Sequence, residues 1–132
     1  MDFKPKGFSA ITPYFQVENG QLFTDFVVQA FGAEIWHQHH EDGKLRHFAY
    51  KIGGAIIEGS EVDGTYPTRE IAIHLYVEDC DAVFKKAIDA GGTEVYPVAD
   101  MPYGERSGGV TDPCGNHWYI ATQLWDMYPD EG

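Results

Sequence analysis

The side chains best suited to chemistry are an acid, a histidine and an arginine in β-prone segments. Glu58 interrupts the otherwise apolar run AIIEGSE, so its carboxylate either enters a cleft or meets solvent where the strand ends. His74, in IAIHLYV, could bind a metal, hydrogen-bond within a cleft or act as a general base. Arg106 is one of nine cationic residues against 21 acids, so it suits either a carboxylate or enolate ligand or a structural ion pair.

The elements that must position these residues form an internal repeat at an offset of 60 residues, in which 11–36 matches 71–96 without a gap. The candidate helix caps Asn19 and Asp79 fall in register, as do the helix-ending glycines. Each half is too short to bury a sheet face alone, so the halves should depend on each other, and a homodimer is expected. The identical pairs are Ile11 and Ile71, Val17 and Val77, Glu18 and Glu78, Ala30 and Ala90, Gly32 and Gly92, and Glu34 and Glu94.

Each half predicts the order strand, helix, and three strands. Hairpin signals at Asp42-Gly43 and Gly53-Gly54 separate the strands of the first half, and DPCGN precedes the last strand of the second. The sequence therefore predicts an α+β fold of two βαβββ modules with curved mixed sheets enclosing a cleft. One domain, 1–132, would contain the modules 8–61 and 70–125, joined by the linker 62–69.

Side-chain alternation sorts the residues of the first strand of each module between two sheet faces. Tyr14 and Gln16 share the polar face, which is expected to line the cleft, and the repeat places His74 and Tyr76 on the matching face. Each helix has one apolar stripe, so helices should cover the other face of each sheet. Near the C-terminus, Trp118 is predicted to pack under a helix.

Composition limits the partners. A net charge of -12 argues against nucleic acid and anionic membrane surfaces, because both would repel this protein. The sequence has no signal peptide and no membrane-spanning apolar run, which predicts a cytoplasmic protein.

The cysteines and the clustered histidines do not indicate a reactive or metal-binding site. Cys80 and Cys114 have no metal-binding or redox spacing. Exposure on a strand explains the clustered histidines His37, His39 and His40.

Two stretches of the second half carry a family resemblance. IAIHLYVEDCDAVFKKAIDAGGTEV and MPYGERSGGVTDPCGNHWYIAT resemble the vicinal oxygen chelate superfamily, which includes glyoxalase I, bleomycin-resistance proteins and extradiol dioxygenases. The resemblance covers nearly the whole chain. It implies strongly curved sheets, a cleft across paired modules and, often, a dimer.

Enzymes of this family hold a divalent metal with four side chains, and the matching positions are Thr12, Glu58, Ala72 and Tyr119. Only Glu58 is a usual ligand, whereas a catalytic metal needs about three His or carboxylate groups. His74 and His117 lie two residues from family positions, in opposite directions, which predicts a separation of four residues, roughly 13 Å. The family metal set is therefore absent, and an atypical site of Glu58, His74 and water is the alternative.

The sequence predicts a protein that binds a small aromatic or oxygen-rich molecule without a cofactor. The alternative is a metal-dependent lyase, isomerase or dioxygenase with a divalent metal at the Glu58 and His74 site. The tyrosines either line an aromatic cavity or fill the core between the sheets, and the sequence leaves both interpretations open. The candidate ligand-binding residues are Tyr14, Gln16, Glu58, His74, Tyr76, Arg106 and Tyr119.

Overall fold

A computed structural model of the chain describes residues 2–63, 68–126 and 128. Two βαβββ modules follow one another, which confirms the predicted α+β class. The predicted linker 62–69 includes 64–67, which lie outside the described residues. The first module comprises β1 (Tyr14–Val17), α1 (Gly20–Phe31), β2 (Glu34–Glu41), β3 (Lys44–Ile52) and β4 (Ala55–Glu61), and the second comprises β5 (Ala72–Tyr76), α2 (Cys80–Asp89), β6 (Thr93–Asp100), β7 (Glu105–Thr111) and β8 (His117–Gln123).

Both helices begin at the repeated caps that the sequence predicted. The side chain of Asn19 accepts a hydrogen bond from the amide of Leu22 at 3.0 Å, and that of Asp79 accepts one from Ala82 at 3.2 Å. These bonds satisfy amides that have no partner within the helix. Gly32 ends α1 with φ of 66°, in the left-handed region that glycine adopts without strain.

Each module forms an open four-stranded mixed sheet. The strand orders are β1-β4-β3-β2 and β5-β8-β7-β6, and in both sheets the first strand runs parallel to the last while the other neighbours are antiparallel. Tyr14 lies opposite Glu58, and His74 lies opposite Tyr119. The predicted alternation is confirmed in β1, where Phe15 is fully buried and Tyr14 is 45% exposed.

The two modules share one hydrophobic core on the helix side of the sheets. The Phe15 ring stacks on Trp118 with centroids 5.5 Å apart, and Phe31 contacts the same indole at 4.6 Å. Trp118 is 1% exposed, so the predicted packing of this residue is confirmed. Because side chains of one module bury those of the other, neither half has a complete core of its own.

Asp112 organises the turn between β7 and β8, and it lies in the motif that carries the family resemblance. One carboxylate oxygen accepts hydrogen bonds from the amides of Cys114 at 2.8 Å and Asn116 at 3.0 Å. The other accepts a hydrogen bond from the indole N–H of Trp118 at 2.9 Å. The carboxylate is almost fully buried, and its bonds to backbone and indole make this motif a structural turn.

A β-bulge distinguishes β3 from β7. His39 pairs with His47 and His40 pairs with Leu45, which leaves Arg46 as an extra residue in β3. Leu45, beyond the bulge, is 5% exposed and lies beside Gly20 at the start of α1. In contrast, β7 pairs with β8 without interruption, and the irregularities in its pairing with β6 place the extra residues in β6 rather than in β7.

None of the helices in the described part of the chain is long and apolar enough to cross a membrane.

Candidate functional site

Aromatic rings cover the sheet face of the second module that the helices leave free. His74 on β5 stacks on Tyr76, with centroids 4.5 Å apart and an interplanar angle of 24°. The edge of Tyr119 on β8 approaches His74 at 6.4 Å, and Tyr96 on β6 lies nearly parallel to Tyr119 at the same distance. We call this surface the second open face and define it as His74, Tyr76, Tyr96, Glu105, Ser107 and Tyr119.

A glycine allows one of these rings to lie flat on the sheet. Gly109 on β7 pairs with Tyr96, and a Cβ atom at this glycine would lie 2.5 Å from the Tyr96 ring. The absent side chain therefore makes room for the ring. The Tyr96 hydroxyl also forms a hydrogen bond with Ser107 at 3.3 Å, which fixes the ring from its other end.

A buried carboxylate lies beneath the rings. Glu105 is 1% exposed, and its two oxygens lie 3.1 and 3.2 Å from Nε2 of His74, whose side chain is 42% exposed. Only Oε2 has the alignment of a hydrogen bond, and no residue in the described parts of the chain donates one to Oε1. Leaving a buried acceptor unpaired costs about 1–3 kcal/mol, so this oxygen needs a functional or electrostatic explanation.

Glu105 also acts on two tyrosines. Burial, followed by the charge of Glu105 and supported by a side-chain hydrogen bond with Glu105, raises the pKa of Tyr76 above its ordinary value. The pKa of Tyr103 is raised by burial and by the charge of Glu105, although a hydrogen bond with Ser107 opposes the shift. Both phenols therefore stay protonated at neutral pH and can donate hydrogen bonds.

The corresponding surface of the first module also holds a histidine and an acid. His47 Nε2 lies 3.0 Å from Glu58 Oε2, and the rings of Tyr14 and His37 lie 6.4 and 5.6 Å from the His47 ring. The side chains of His47 and Glu58 are 36% and 26% exposed, so water reaches both partners. We call this surface the first open face and define it as Tyr14, Gln16, His37, His47, Glu58 and Ser60.

One cavity lies at the first open face, and a larger one lies at the edge of the second. A cavity of about 370 Å³ at the first open face has Tyr14, Gln16 and Ser60 in its wall, together with Arg46 from the bulge. The larger one, about 740 Å³, lies beside Tyr76 at the end of β5 and β8, and its wall includes Thr122 and also Gly53 of the first module. The ring contacts and ion pairs within each open face join residues of one sheet only, so each face is a separate surface of the protomer.

The predicted ligand-binding residues divide among three places. Tyr14, Gln16 and Glu58 lie on the first open face, and His74, Tyr76 and Tyr119 lie on the second. Arg106 lies on the helix side of β7, where two of its nitrogens bind Asp81 at 2.8 and 3.0 Å and a third binds Asp100 at 3.0 Å. These bonds raise the pKa of Arg106 above its ordinary value. Of the two interpretations of Arg106, the structure contains the ion pair.

The strand register corrects the predicted spacing of the histidines. Ala72 lies opposite His117 and His74 opposite Tyr119, so Ala72 and Tyr119 are not partners and the two histidines are displaced by two residues rather than four. The prediction was wrong because β8 begins level with the start of β5, which sequence spacing does not reveal.

The residues at the family metal positions do not fit a metal. Thr12 bonds the carbonyl of Ser9 and Ala72 has no donor atom; in the alternative site, Glu58 and His74 bind different partners on different sheets. Within the described ranges, no three His, Cys, Asp or Glu side chains are grouped so that they could hold a metal ion.

Sequence reasoning missed the two residues that pair with the predicted His74 and Glu58. Alternation along ERSGGVT places Glu105 with Ser107 on one face, but it does not indicate which face or which neighbour. His47 lies in the predicted strand KLRHFAYKI, where nothing in the spacing links it to Glu58. Both pairs depend on strand register, which only the folded chain reveals.

Comparisons with known proteins agree with this architecture. The chain is 33% identical to the uncharacterized protein Mb0911c of Mycobacterium bovis, across 92% of this chain and 88% of that protein. Among solved structures, TioX from Micromonospora sp. ML1 matches with a TM-score of 0.71 and 23% identity, covering 90% of this chain and 99% of TioX. The Arabidopsis thaliana gene product AT5G48480 matches with a TM-score of 0.72 and 23% identity, covering 86% and 98%.

A family model links these similarities to a named group. Residues 11–120 match the model of the Glyoxalase/Bleomycin resistance protein/Dioxygenase superfamily, so the match extends through both βαβββ modules. The vicinal oxygen chelate resemblance of the sequence is confirmed, and the chain belongs to this superfamily.

Proposed function

We propose that the protein binds a small aromatic or oxygen-rich molecule on the second open face, without a metal. The observation that carries this proposal is a set of stacked rings above a buried carboxylate, Glu105, that has one unpaired oxygen. Flat rings offer a stacking surface, while His74 and the phenol groups of Tyr76 and Tyr103 offer hydrogen bonds. A ligand with a flat ring and oxygen substituents would use both the stacking surface and the hydrogen-bonding groups.

We further propose that the working form is a homodimer in which the first open face of one protomer covers the second open face of its partner. The shared core uses up the helix sides of both sheets, while both polar faces stay exposed. The cavity of the first open face and the rings of the second would then form two walls of one cleft. This arrangement would bring Tyr14, Gln16 and Glu58 of one protomer to the ligand, and sedimentation of a monomer at micromolar concentration would contradict it.

The binding proposal is tested with two matched probes. Catechol carries two vicinal hydroxyls on a flat ring, whereas cis-1,2-cyclohexanediol carries the same hydroxyls on a puckered ring. We expect calorimetry to detect binding of catechol but not of cis-1,2-cyclohexanediol. Loss of one stacking contact is worth about 1 kcal/mol, so Tyr76→Ala and Tyr119→Ala should each weaken binding about fivefold to tenfold. The control is Phe3→Ala, which removes an exposed ring outside both faces. Equal affinity for both probes would contradict the proposal.

Metal analysis separates this proposal from the alternative activity. Protein purified without chelator should contain no stoichiometric divalent metal. If it does contain metal, and the metal is lost in both Glu58→Ala and His74→Ala, the metal-independent proposal is wrong and a lyase, isomerase or dioxygenase is favoured instead.

A further inference from the structure

We propose that His74 acts as a general base that takes a proton from the hydroxyl of a bound phenol or enol, with Glu105 as its positioning residue. The inference rests on the proposed function, because it uses the same face, and it adds acid–base chemistry to binding.

The geometry of the pair leaves one nitrogen of His74 available. Both oxygens of Glu105 lie near Nε2, and an ionised carboxylate only accepts hydrogen bonds, so Nε2 carries the proton. In the neutral ring the lone pair is then on Nδ1. Among the hydrogen bonds of the described residues, none involves Nδ1 of His74. Stacking on Tyr76 fixes the plane of a ring that is still 42% exposed.

The carboxylate of Glu105 is more deeply buried than that of Glu58, its counterpart on the first open face. The Glu105 carboxylate is enclosed, and its Oε1 lies 3.1 Å from Nε2 of His74 without the alignment of a hydrogen bond. A proton taken from a ligand would therefore place a positive charge on His74 within contact distance of a buried oxygen that water does not screen. At the first open face, both members of the His47 and Glu58 pair are partly exposed, so water screens their interaction.

The proton transfer is balanced by the ligand and His74 alone. The O–H bond of the ligand breaks, the proton moves to Nδ1, and the electron pair stays on the ligand oxygen. The reverse transfer restores the hydroxyl, or returns the proton to another atom of an enolate, without a redox partner. Tyr76, whose ring stacks on His74, stays protonated beside Glu105 and does not compete for the proton.

The test uses 4-nitrophenol, whose ionised form absorbs visible light, at a pH where the free probe is mostly neutral. Adding the protein should produce the visible band of the phenolate. Glu105→Gln keeps the side-chain shape but removes the charge, and it should lower the ratio of ionised to neutral bound probe at least tenfold. His74→Asn should abolish the band. Asp89→Asn, which removes an exposed acid on α2, should leave it unchanged.

A second probe, 4-nitroanisole, has no hydroxyl proton and shows whether the face remains intact. It should bind the wild type and Asp89→Asn with equal affinity, and it should still bind Glu105→Gln and His74→Asn, because the rings of Tyr76, Tyr96 and Tyr119 remain in both variants. If 4-nitrophenol binds but stays neutral, the general base is overturned while the proposed function stands. If the band survives in Glu105→Gln, the positioning role is wrong. If neither probe binds, the proposed function and this inference both fail.

Discussion

The two open faces occupy equivalent places in the repeat, yet they present their acids differently. The first holds Glu58 on β4 beside His47, with both side chains partly exposed. The second holds Glu105 on β7 under His74, with the carboxylate almost fully buried. An ion pair that water reaches interacts only weakly, because the solvent screens its charges. A buried carboxylate is not screened in this way, so it interacts more strongly with the imidazole above it. The second open face is therefore the stronger candidate for chemistry.

The bulge in β3 explains part of this difference. Residues 45 and 46 match residues 105 and 106 at the 60-residue offset. In the first module the bulge turns Leu45 toward the core, and Arg46 lines the open-face cavity and lies 3.5 Å from Asp63. In the second module Glu105 reaches the open face, and Arg106 binds Asp81 at the start of α2. Because β3 has this one extra residue, Leu45 and Glu105, which are equivalent in the repeat, lie on opposite faces of their sheets.

The largest expected effect concerns the turns that join the last two strands of each module. Asp112→Ala removes four hydrogen bonds from a buried turn, one of them a longer bond from the Asn116 side chain at 3.4 Å, and the three shorter ones at about 1.5 kcal/mol each should lower the free energy of unfolding by about 4 kcal/mol or more. Gly54→Ala, in the corresponding turn of the first module, strains only a φ of 85° and should cost about 1–2 kcal/mol. Urea denaturation measures both, and equal losses would contradict the contrast between the turns.

The next effect compares two glycines that make room for rings. A Cβ at Gly59 would collide with the Phe48 ring and with the Phe15 carbonyl oxygen, 2.6 Å away in the core, so Gly59→Ala should cost about 2–3 kcal/mol. At Gly109 the Cβ meets only the Tyr96 ring, which can move outward. Gly109→Ala should therefore cost about 1 kcal/mol or less but weaken catechol binding. Stability from urea denaturation and affinity from calorimetry separate the two cases, and unchanged affinity in Gly109→Ala would exclude Tyr96 from the binding surface.

Replacing each acid with leucine should sharpen the comparison between the faces. Glu105→Leu removes a buried carboxylate with an unpaired oxygen and leaves a half-exposed imidazole, so it should raise the free energy of unfolding by about 1–2 kcal/mol. Glu58→Leu changes a partly solvated acid and should stay within about 0.5 kcal/mol of the wild type. Thermal and urea unfolding measure both variants. A strong loss of stability in Glu105→Leu would show that the acid supports the fold itself.

The smallest expected effect is a pH-dependent change in stability at Asp81, on the helix side of the second module. Hydrogen bonds from Arg106 hold the pKa of Asp81 below its ordinary value. Asp81 therefore adds stability above the pKa of the unfolded carboxyl, about 3.9, and loses this contribution as the pH falls through the lower folded value. Wild type should be slightly more stable than Asp81→Asn at neutral pH, and the difference should disappear in acid. A difference that persists at low pH would contradict an ionic origin.

Local sequence patterns predicted much of the fold. Asn19 and Asp79 cap the helices because a side-chain oxygen next to an apolar stripe satisfies free amides, and that signal is local. Alternation correctly placed Phe15 inward and Tyr14 outward because it needs only one strand. Because the second module repeats the first, the same predictions of helix caps and side-chain alternation apply to it.

Pairing across strands could not be predicted in the same way. Glu105 and His74 are 31 residues apart and meet only because β8 lies between β5 and β7. The spacing of His74 and His117 was wrong for the same reason, since register is decided by the whole sheet. Arg46 has no local mark as a bulge because the extra residue is defined only by its partner strand. The parts of the site that sequence missed are thus those that depend on non-local hydrogen bonding.

The position of Trp118 gives the molecule a built-in optical reporter. This indole lies between the two modules against Phe15 and Phe31, whereas Trp36 and Trp125 are about half exposed. The blue part of the tryptophan emission therefore arises where the modules meet. Separation of the modules would shift that emission to the red even if each sheet kept its strands, so fluorescence can distinguish undocking from unfolding.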